Sequence, residues 1–488
     1  MTRLLPILAV LAWLPSSLPA QSEDASRLVA ALLGDTPMVR DLQTLTDSIG
    51  GRPTGSDANR RAFDWAVARF REAGVDARKE PFQMPGLWLE RSARATVHGG
   101  GITFAARVAA LPFSTPTPAS GLTAALVDAG RGAEADFATL GNRAKGAFVL
   151  VETEELVDLD GLFREYVEAG HIERRAIAAG AAGLVYMSSR PGNTLARHNA
   201  ALGWANRHPM MMMERDAAAR ALRLIRAGTA LRLTAVLDLR RGPAYTSHNV
   251  IGQIRGAARP DEIVLIGAHL DSWDLGSGAL DNGANSAMVI DIARQIARLG
   301  LRPARTIRFA LWNGEEQNLN GSYGYTLSHA AEMGRHVMAS SYDIGTGRIT
   351  GFFTGGRADL VPVLERALAP VAGLGPFTHV NAPIVGTDNY DFMMQGVPNL
   401  VANQESANYG PNYHARSDEF GRADLRQLRL NAAIAAAATW GFATQVLSLP
   451  RQTAAQVDSM VRHTDLGEQM RSFNVYEAWE AGERGLRP

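Results

Sequence analysis

The chain has 488 residues, of which 46% are hydrophobic and 20% charged, and its 49 basic and 49 acidic side chains cancel to a net charge of +0. This composition is typical of a folded globular protein, and the length predicts a large domain with a further unit inserted or appended. The balanced charge provides no long-range attraction, so neither nucleic acid nor a membrane surface is a favoured partner. The chain has no cysteine, which excludes disulfides, a cysteine nucleophile and thiolate metal ligands.

The first twenty residues have the pattern of a secretory signal peptide. Arg3 supplies a positive charge, residues 4–14 are largely apolar, and residues 16–20 resemble a cleavage region. The alternative is a membrane anchor, but the apolar run is shorter than the roughly 20 residues of a membrane-spanning helix. No later stretch is long and apolar enough to span a membrane. We therefore expect residues 1–20 to be removed and the mature protein to be secreted or periplasmic.

Helical periodicity dominates the start of the mature chain and leads to an amphipathic helix at 60–73, which Gly74 ends. The Pro/Ser/Thr-rich stretch 112–118 indicates a domain crossing, and a second crossing is expected near 240–244. The run of four methionines, Met210–Met213, is expected to form a strand rather than a copper site. Between the crossings, strands are predicted at 121–128, 146–152 and 184–187, and a helix is predicted at 172–179.

After residue 249 the pattern alternates between strands and helices. The predicted strands are 262–268, 306–312 and 337–341, and the predicted helices are 285–299, 321–333 and 425–446. This alternation predicts an α/β fold with a mostly parallel, doubly wound sheet that helices cover on both faces. The stretch after Pro450 is polar and helix-prone.

Residues able to bind a metal follow each of these three predicted strands. His269 and Asp271 follow the first strand, Glu315 and Glu316 the second, and Asp343 the third. Ligands bind beyond the carboxyl ends of the strands in doubly wound sheets, so we expect these side chains to meet at one rim. Each motif alone is weak, because Glu-Glu pairs and single histidines are common on protein surfaces. The prediction of a metal site rests on their joint placement at successive strand ends.

Asp281, in a glycine-rich turn that opens a helix, and His414, in a later loop, extend the set. Five residues then suit two zinc ions, with Asp281 bridging, His269 and Asp343 on one ion, and Glu316 and His414 on the other. Carboxylates and imidazoles are ordinary zinc ligands. Two ions about 3.5–4 Å apart polarise a carbonyl and activate a shared water.

Two predicted site residues remain outside this ligand set. Glu315 is expected to act as general base toward the water and later to pass the proton to the leaving amine. Asp271 is expected to fix the tautomer of His269 as a supporting acid. These roles describe a metal-dependent hydrolase.

Three runs of sequence resemble those of the di-zinc exopeptidases, namely HLDSWD at 269–274, GALD at 278–281 and LWNGEEQ at 311–317. That family includes secreted bacterial aminopeptidases and the glutamate carboxypeptidases, and HLDSWD is most similar to the plasma glutamate carboxypeptidases. The likeness extends from residues 50–56 to about Val446. It implies the zinc exopeptidase fold, the ligand and base roles given above, and hydrolysis of the terminal bond of short peptides.

The resemblance also implies that 119–241 is an inserted, mainly-β protease-associated (PA) domain. The insert would divide the peptidase domain into segments 21–118 and 242–450 and leave 451–488 as a C-terminal tail. Two positions depart from the family pattern. Asn282 follows Asp281 where relatives often have a second Asp, and Ser341-Tyr342 precede Asp343 where the nearest relatives more usually have Glu-Ser.

Several alternatives stay open. No motif separates an aminopeptidase from a carboxypeptidase or dipeptidase, and Arg357 and Arg416 are candidates to bind a substrate carboxylate or to be merely solvated. Asp388 is expected either to shape the substrate pocket or to cap a helix. A glutaminyl cyclase-like transferase with one zinc and a non-catalytic binding protein are the other functions, although the complete ligand set argues against both. The resemblance allows a homodimer, and it does not indicate which substrate side chains are preferred.

Overall fold

The computed structural model describes residues 18–487, without the side chains of 18–22, 159 and 160. The predicted signal segment 1–20 lies outside this range except for its last three residues, which begin the first helix. Among the described residues, no helix is both long and apolar enough to cross a membrane.

Fifteen strands form two sheets in the described part of the chain. In chain order they are β1 Asp76–Met84, β2 Leu87–Gly99, β3 Ile102–Ala106, β4 Val108–Ala110, β5 Leu122–Asp128, β6 Phe148–Val151, β7 Gly183–Met187, β8 Met210–Met213, β9 Leu231–Gly242, β10 Tyr245–Ile254, β11 Arg259–His269, β12 Arg305–Trp312, β13 His336–Ser341, β14 Ile349–Phe353 and β15 Asn399–Gln404.

The same residues contain fifteen α-helices. They are α1 Leu18–Leu33, α2 Met38–Gln43, α3 Asp57–Glu72, α4 Glu134–Leu140, α5 Leu159–Ala178, α6 Arg215–Arg226, α7 Ala284–Arg298, α8 Asn320–Ser328, α9 Val361–Leu368, α10 Asn389–Met394, α11 Tyr409–Asn412, α12 Leu425–Thr444, α13 Ala454–His463, α14 Leu466–Ser472 and α15 Tyr476–Glu480.

The first sheet has seven strands in the order β1-β10-β12-β11-β13-β15-β14. Its four central strands are parallel, while β1, β10 and β14 pair antiparallel at the two sides. The α/β class and the three predicted strands β11, β12 and β13 are therefore confirmed. The sheet is mixed rather than mostly parallel. The outer strands were not predicted, because strands such as β1 are half exposed and lack the continuous apolar run that identifies a central strand.

Alternate residues of the central strands face two separate cores. Val264 and Ile266 of β11 pack with α7 and α12 in one core, whereas Leu265 packs with Trp312 in the core on the opposite face. Successive strand residues point to opposite faces, so a strand covered on both sides is apolar throughout. Every residue of β12 is buried in this way.

The second sheet has eight strands in the order β3-β2-β9-β5-β6-β7-β8-β4, and β5 to β8 are parallel. It is built from residues 87–242. Three of its strands precede residue 119, so the sheet uses more of the chain than the predicted insert 119–241. The methionine run Met210–Met213 forms the buried strand β8, as predicted.

Helices α13 to α15 pack against α10 through a separate apolar cluster that includes Tyr390, Trp479 and Met470. The buried guanidinium of Arg484 holds this unit in place. It donates to both carboxylate oxygens of Asp391 at 2.7 and 2.8 Å. The polar stretch after Pro450 is therefore part of the folded body.

Replacing Arg484 with Ala should destabilise the protein by about 3–5 kcal/mol, because the buried carboxylate of Asp391 is left unpaired. The free energy of unfolding from urea titration measures this loss, and hydrogen exchange should rise across 454–487. Arg462→Ala is the control, since Arg462 is exposed and solvent screens its pair with Asp458, so its loss should change the free energy of unfolding little. Equal effects of the two substitutions would refute the anchoring role of Arg484.

Candidate active site

Five predicted residues converge beyond the carboxyl ends of the central strands. His269 lies between two carboxylates, with its Nε2 at 3.0 Å from Asp281 Oδ1 and 2.9 Å from Asp343 Oδ1. His414 Nε2 lies 2.7 Å from Glu316 Oε2 and 3.4 Å from Asp281 Oδ2. The Asp281 carboxylate thus turns one oxygen toward each histidine.

These contacts define two buried groups of possible metal ligands that share Asp281. The first is His269, Asp281 and Asp343, and the second is Asp281, Glu316 and His414. The ligand atoms within each group lie within 4.8 Å of one another. Both groups consist only of carboxylate oxygens and imidazole nitrogens, which are ligands that zinc accepts.

The turn that carries Asp281 is held by charged side chains behind it. The carboxylate of Asp418 accepts hydrogen bonds from the backbone N–H of Leu280 at 2.7 Å and of Asp281 at 3.1 Å. The buried guanidinium of Arg52 donates to the carbonyl of Gly278 at 2.9 Å. Gly278 has φ 65°, and a Cβ at this position would lie 2.4 Å from Ser272. Glycine is therefore required at this position.

Asp271 contacts His269 differently from the prediction. The ring Nδ1 of His269 lies 3.0 Å from the backbone carbonyl oxygen of Asp271, while the nearer carboxylate oxygen is 3.8 Å away. Only the first distance is that of a hydrogen bond. The Asp271 carboxylate instead accepts a hydrogen bond from Thr54 Oγ1 at 2.7 Å. Asp271 can orient the imidazole through its main chain and fasten the 50–56 loop through its side chain.

Glu315 belongs to neither ligand group. Its carboxylate lies 3.9 Å from His269 Nε2, and its side chain is 11% exposed, against 4% for Glu316. Burial raises the pKa of Glu315 well above its usual value, with Asp343 and Asp388 adding to the rise while His269 opposes it. Glu315 is thus the acid beside the cluster that faces the cavity.

The cluster holds more buried negative charge than its protein partners neutralise. Burial raises the pKa values of Glu316 and Asp343, and neighbouring carboxylates raise them further. Within residues 18–487, Asp281 Oδ2 and Glu316 Oε1 are buried without a hydrogen-bond partner. Burial also lowers the pKa of His414 to about 4, which favours the neutral imidazole that binds metals. Unpaired buried carboxylates are costly, so this donor set fits bound cations.

Asp388 adds a fifth buried acid to Asp271, Asp281, Glu316 and Asp343, beside the partly exposed Glu315. It precedes α10 but its side chain makes no capping hydrogen bond, so the capping interpretation is wrong. Its two carboxylate oxygens have no partner among the described residues. Burial raises the pKa of Asp388, and Asp343 contributes to the rise. From the sequence, Asp388 is a candidate pocket residue, but its place beside the acids of the cluster was not predicted.

A segment of the second sheet unit, 190–201, supports the loop that carries His414. The backbone of His414 is left-handed, with φ 54°, and its carbonyl accepts from the Arg197 N–H at 2.9 Å. The Arg197 side chain, 2% exposed, pairs with Asp274 at 2.8 Å and Glu90 at 3.0 Å. Trp273 packs edge-to-face on Trp88 of the second sheet. Sequence reasoning missed Arg197, because its partners lie about eighty to one hundred residues away.

Two recesses border the cluster. One, of about 70 Å³, is lined by Glu315, Glu316 and Asn199. The other, of about 100 Å³, is mainly apolar and has Asp343 at its edge. Tyr166 and Phe473 line both recesses. A larger cavity of about 550 Å³ lies at the ends of the parallel strands of the second sheet, away from the ligand groups.

The two predicted carboxylate-binding arginines lie elsewhere. Arg357 is buried, pairs with Asp359 and donates to the Pro450 carbonyl at 2.7 Å. Arg416 is exposed and lines neither recess. In this structure neither side chain is placed to bind a substrate beside the cluster.

Arg197→Ala should lower the free energy of unfolding by about 3 kcal/mol, because Glu90 and Asp274 lose their shared buried partner. Loss of these ion pairs should also weaken the support of the loop that carries the left-handed His414. Urea titration measures the first effect. As a control, Arg107→Ala removes an exposed pair with Glu214 and should cost at most about 1 kcal/mol. A change no larger than in the control would contradict the anchoring role of Arg197.

Comparison with known proteins finds similarity to peptidases. Residues 249–439 match the model of peptidase family M28. Carboxypeptidase Q of Xenopus laevis is 28% identical over 422 residues, covering 84% of this chain and 86% of the relative. A probable lipoprotein aminopeptidase of Mycobacterium tuberculosis is 25% identical over 472 residues, covering 88% and 87%.

A solved structure of a peptidase M28 precursor from Shewanella amazonensis superposes with a TM-score of 0.80. It is 27% identical, and the match covers 89% of this chain and 99% of that one. The matched family segment contains all five converging residues, from His269 to His414. These findings confirm the resemblance that the sequence motifs indicated: residues 249–439 match peptidase family M28, and the chain is similar to M28 peptidases over most of its length.

Proposed function

We propose that this protein is a secreted or periplasmic, zinc-dependent exopeptidase that hydrolyses a terminal peptide bond of short peptides. The observation that carries the proposal is the Asp281 carboxylate, which lies between two histidine-carboxylate groups while Glu315 stands outside both. The family match and the names of the relatives support a peptidase. A homodimer remains an expectation from the resemblance.

His269 and Asp343 would hold one zinc ion, Glu316 and His414 the other, and Asp281 both. When bound, two such ions polarise a carbonyl group and make a water molecule more acidic. The unpartnered oxygens of Asp281 and Glu316 support this assignment, because each has a free lone pair in a buried place. The second sheet unit, which we assign to the predicted PA insert, would support His414 through Arg197.

Glu315 is the general base in this proposal. Its carboxylate takes a proton from the attacking water and then donates it to the nitrogen of the leaving amine as the C–N bond breaks. The side chain is suited to this because it reaches the cavity and has no role as a metal ligand. Asp271 positions His269 through its main-chain carbonyl, and Thr54 restrains the Asp271 carboxylate.

The charge around the site favours recognition of a free amino end. Five buried carboxylates and that of Glu315 outnumber the four positive charges of two zinc ions, so the local field attracts an ammonium group and repels a carboxylate. Of the described residues, no lysine or arginine lines either recess beside the cluster. We therefore propose an aminopeptidase or a dipeptidase that holds the amino end of its substrate.

Glu315→Gln should leave the fold and the zinc content intact and lower kcat by roughly 10²–10⁴-fold, because only the proton acceptor is lost. The measurements are turnover of an aminoacyl reporter and zinc per chain by elemental analysis. We expect two zinc ions per chain, and a chelator should abolish wild-type turnover.

Glu154→Gln is the control for this substitution, since Glu154 is exposed and distant from the cluster. Near-normal turnover of Glu315→Gln would show that Glu315 is not the base. A wild-type protein with a single zinc would instead favour the cyclase-like transferase.

The choice of substrate end can be tested with matched peptides. Leu-Gly and its C-terminal amide should be hydrolysed at comparable rates, whereas N-acetyl-Leu-Gly should be cleaved at least about 100-fold more slowly, because the acetyl group removes the ammonium charge. The measurement is the release of leucine from the first two peptides and of N-acetyl-leucine from the third. Rapid cleavage of the acetylated peptide, together with loss of activity on the amide, would instead identify a carboxypeptidase.

A further inference from the structure

We propose that Phe473 determines which substrate side chains the enzyme accepts, by forming the wall of an apolar recess for the first side chain of the peptide. This inference rests on the proposed exopeptidase function and on its action at the amino end. It concerns elements that lie outside the matched family segment 249–439, namely α5 and the turn after α14.

The recess is suited to an apolar side chain. Its volume of about 100 Å³ is several times the ~10–15 Å³ that one water needs on the same measure. Aliphatic and aromatic side chains dominate its lining, including Leu162, Phe163, Ile344, Ile384, Val385 and Val401. A hydrocarbon side chain gains by leaving water here, whereas a charged one loses its hydration without finding a partner.

Asp343 ties this recess to the chemistry, because it lines the recess and also belongs to the first ligand group. A side chain in the recess therefore lies within a few ångströms of the cluster. Phe473 separates this recess from the one that Glu315 lines, since its ring borders both. The position of Phe473 thus limits how far a side chain extends beside the reacting bond.

Neighbouring groups hold the Phe473 ring in a defined orientation. It stacks on Tyr166 of α5 with ring centres 5.8 Å apart and planes inclined by 18°. The Tyr166 hydroxyl lies 2.8 Å from that of Tyr413, the residue before the ligand His414. The next residue, Asn474, is left-handed with φ 55° and donates its amide to the Ala201 carbonyl at 2.8 Å. Such contacts make a rigid wall, which is what discrimination by size requires.

The experiment compares the full-length wild-type enzyme with Phe473→Ala on two series of unblocked dipeptides, X-Gly and Gly-X, where X is Leu, Trp or Asp. The wild type should hydrolyse Leu-Gly at least about 100-fold more efficiently than Asp-Gly, measured as kcat/KM. Phe473→Ala joins the two recesses, so the ratio of kcat/KM for Trp-Gly to that for Leu-Gly should rise roughly tenfold. The Gly-X series should show little dependence on X.

Phe473→Leu is a milder variant that keeps the apolar packing, and its Trp-to-Leu ratio should lie between the other two. If Phe473→Ala fails to fold, as judged by its thermal midpoint, the Leu variant alone decides. Phe104→Ala is the matched control, because Phe104 is also half-buried but lies on β3 of the second sheet against Arg220. It should leave the ratio unchanged.

The outcomes separate this inference from the proposed function. An unchanged Trp-to-Leu ratio in an active Phe473 variant would overturn the role of Phe473 while leaving the peptidase assignment intact. A preference that appears in Gly-X instead of X-Gly, or Asp-Gly cleaved faster than Leu-Gly, would overturn the placement of the first side chain. Failure to cleave any dipeptide despite two bound zinc ions would refute the proposed function itself.

Discussion

The fold is organised around five buried carboxylates and the partly exposed Glu315, which lie close together at one end of the first sheet. Such a cluster is self-repulsive and poorly hydrated, so it needs compensating partners to persist in a folded protein. The protein supplies only part of the compensation, through two histidines and through the charge of the nearby Arg52 guanidinium. The remaining imbalance suits the two candidate ligand groups to cations, as proposed above.

The parallel centre of the first sheet places these acids at one rim. β11, β12 and β13 end at the same edge, so His269, Glu315 and Asp343 become neighbours although up to 74 residues separate them. His414 reaches the rim by a different route, since it lies in a left-handed turn supported by the second sheet unit through Arg197. The second ligand group therefore depends on a contact between the two sheet units, whereas the first lies within one sheet.

The sequence predicted the parts of this arrangement that have local signals. The apolar runs of β11 and β12 and the residues that follow them sufficed to place His269 and Glu316, and helical periodicity identified α7 and α12. Partners that depend on contacts distant in sequence were not predictable in this way. Arg52 and Arg197 resemble any surface arginine until the fold buries them, and Asp388 resembles a helix cap until its backbone geometry is known. The half-exposed outer strands and the extension of the second sheet before residue 119 were missed for the same reason.

The candidate catalytic residues and the proposed specificity residue Phe473 lie in different parts of the chain. All five converging ligand candidates and Glu315 lie within the segment that matches the family model, whereas Tyr166 and Phe473 lie outside it. Substitutions in α5 or after α14 can therefore reshape the recess without replacing an acid of the cluster, although Tyr166 contacts the ligand loop through the hydroxyl of Tyr413. The chemistry and the choice of side chain are thus held by different parts of the chain. Proteins similar to this chain can then differ in the peptides they accept, which fits the different names that they carry.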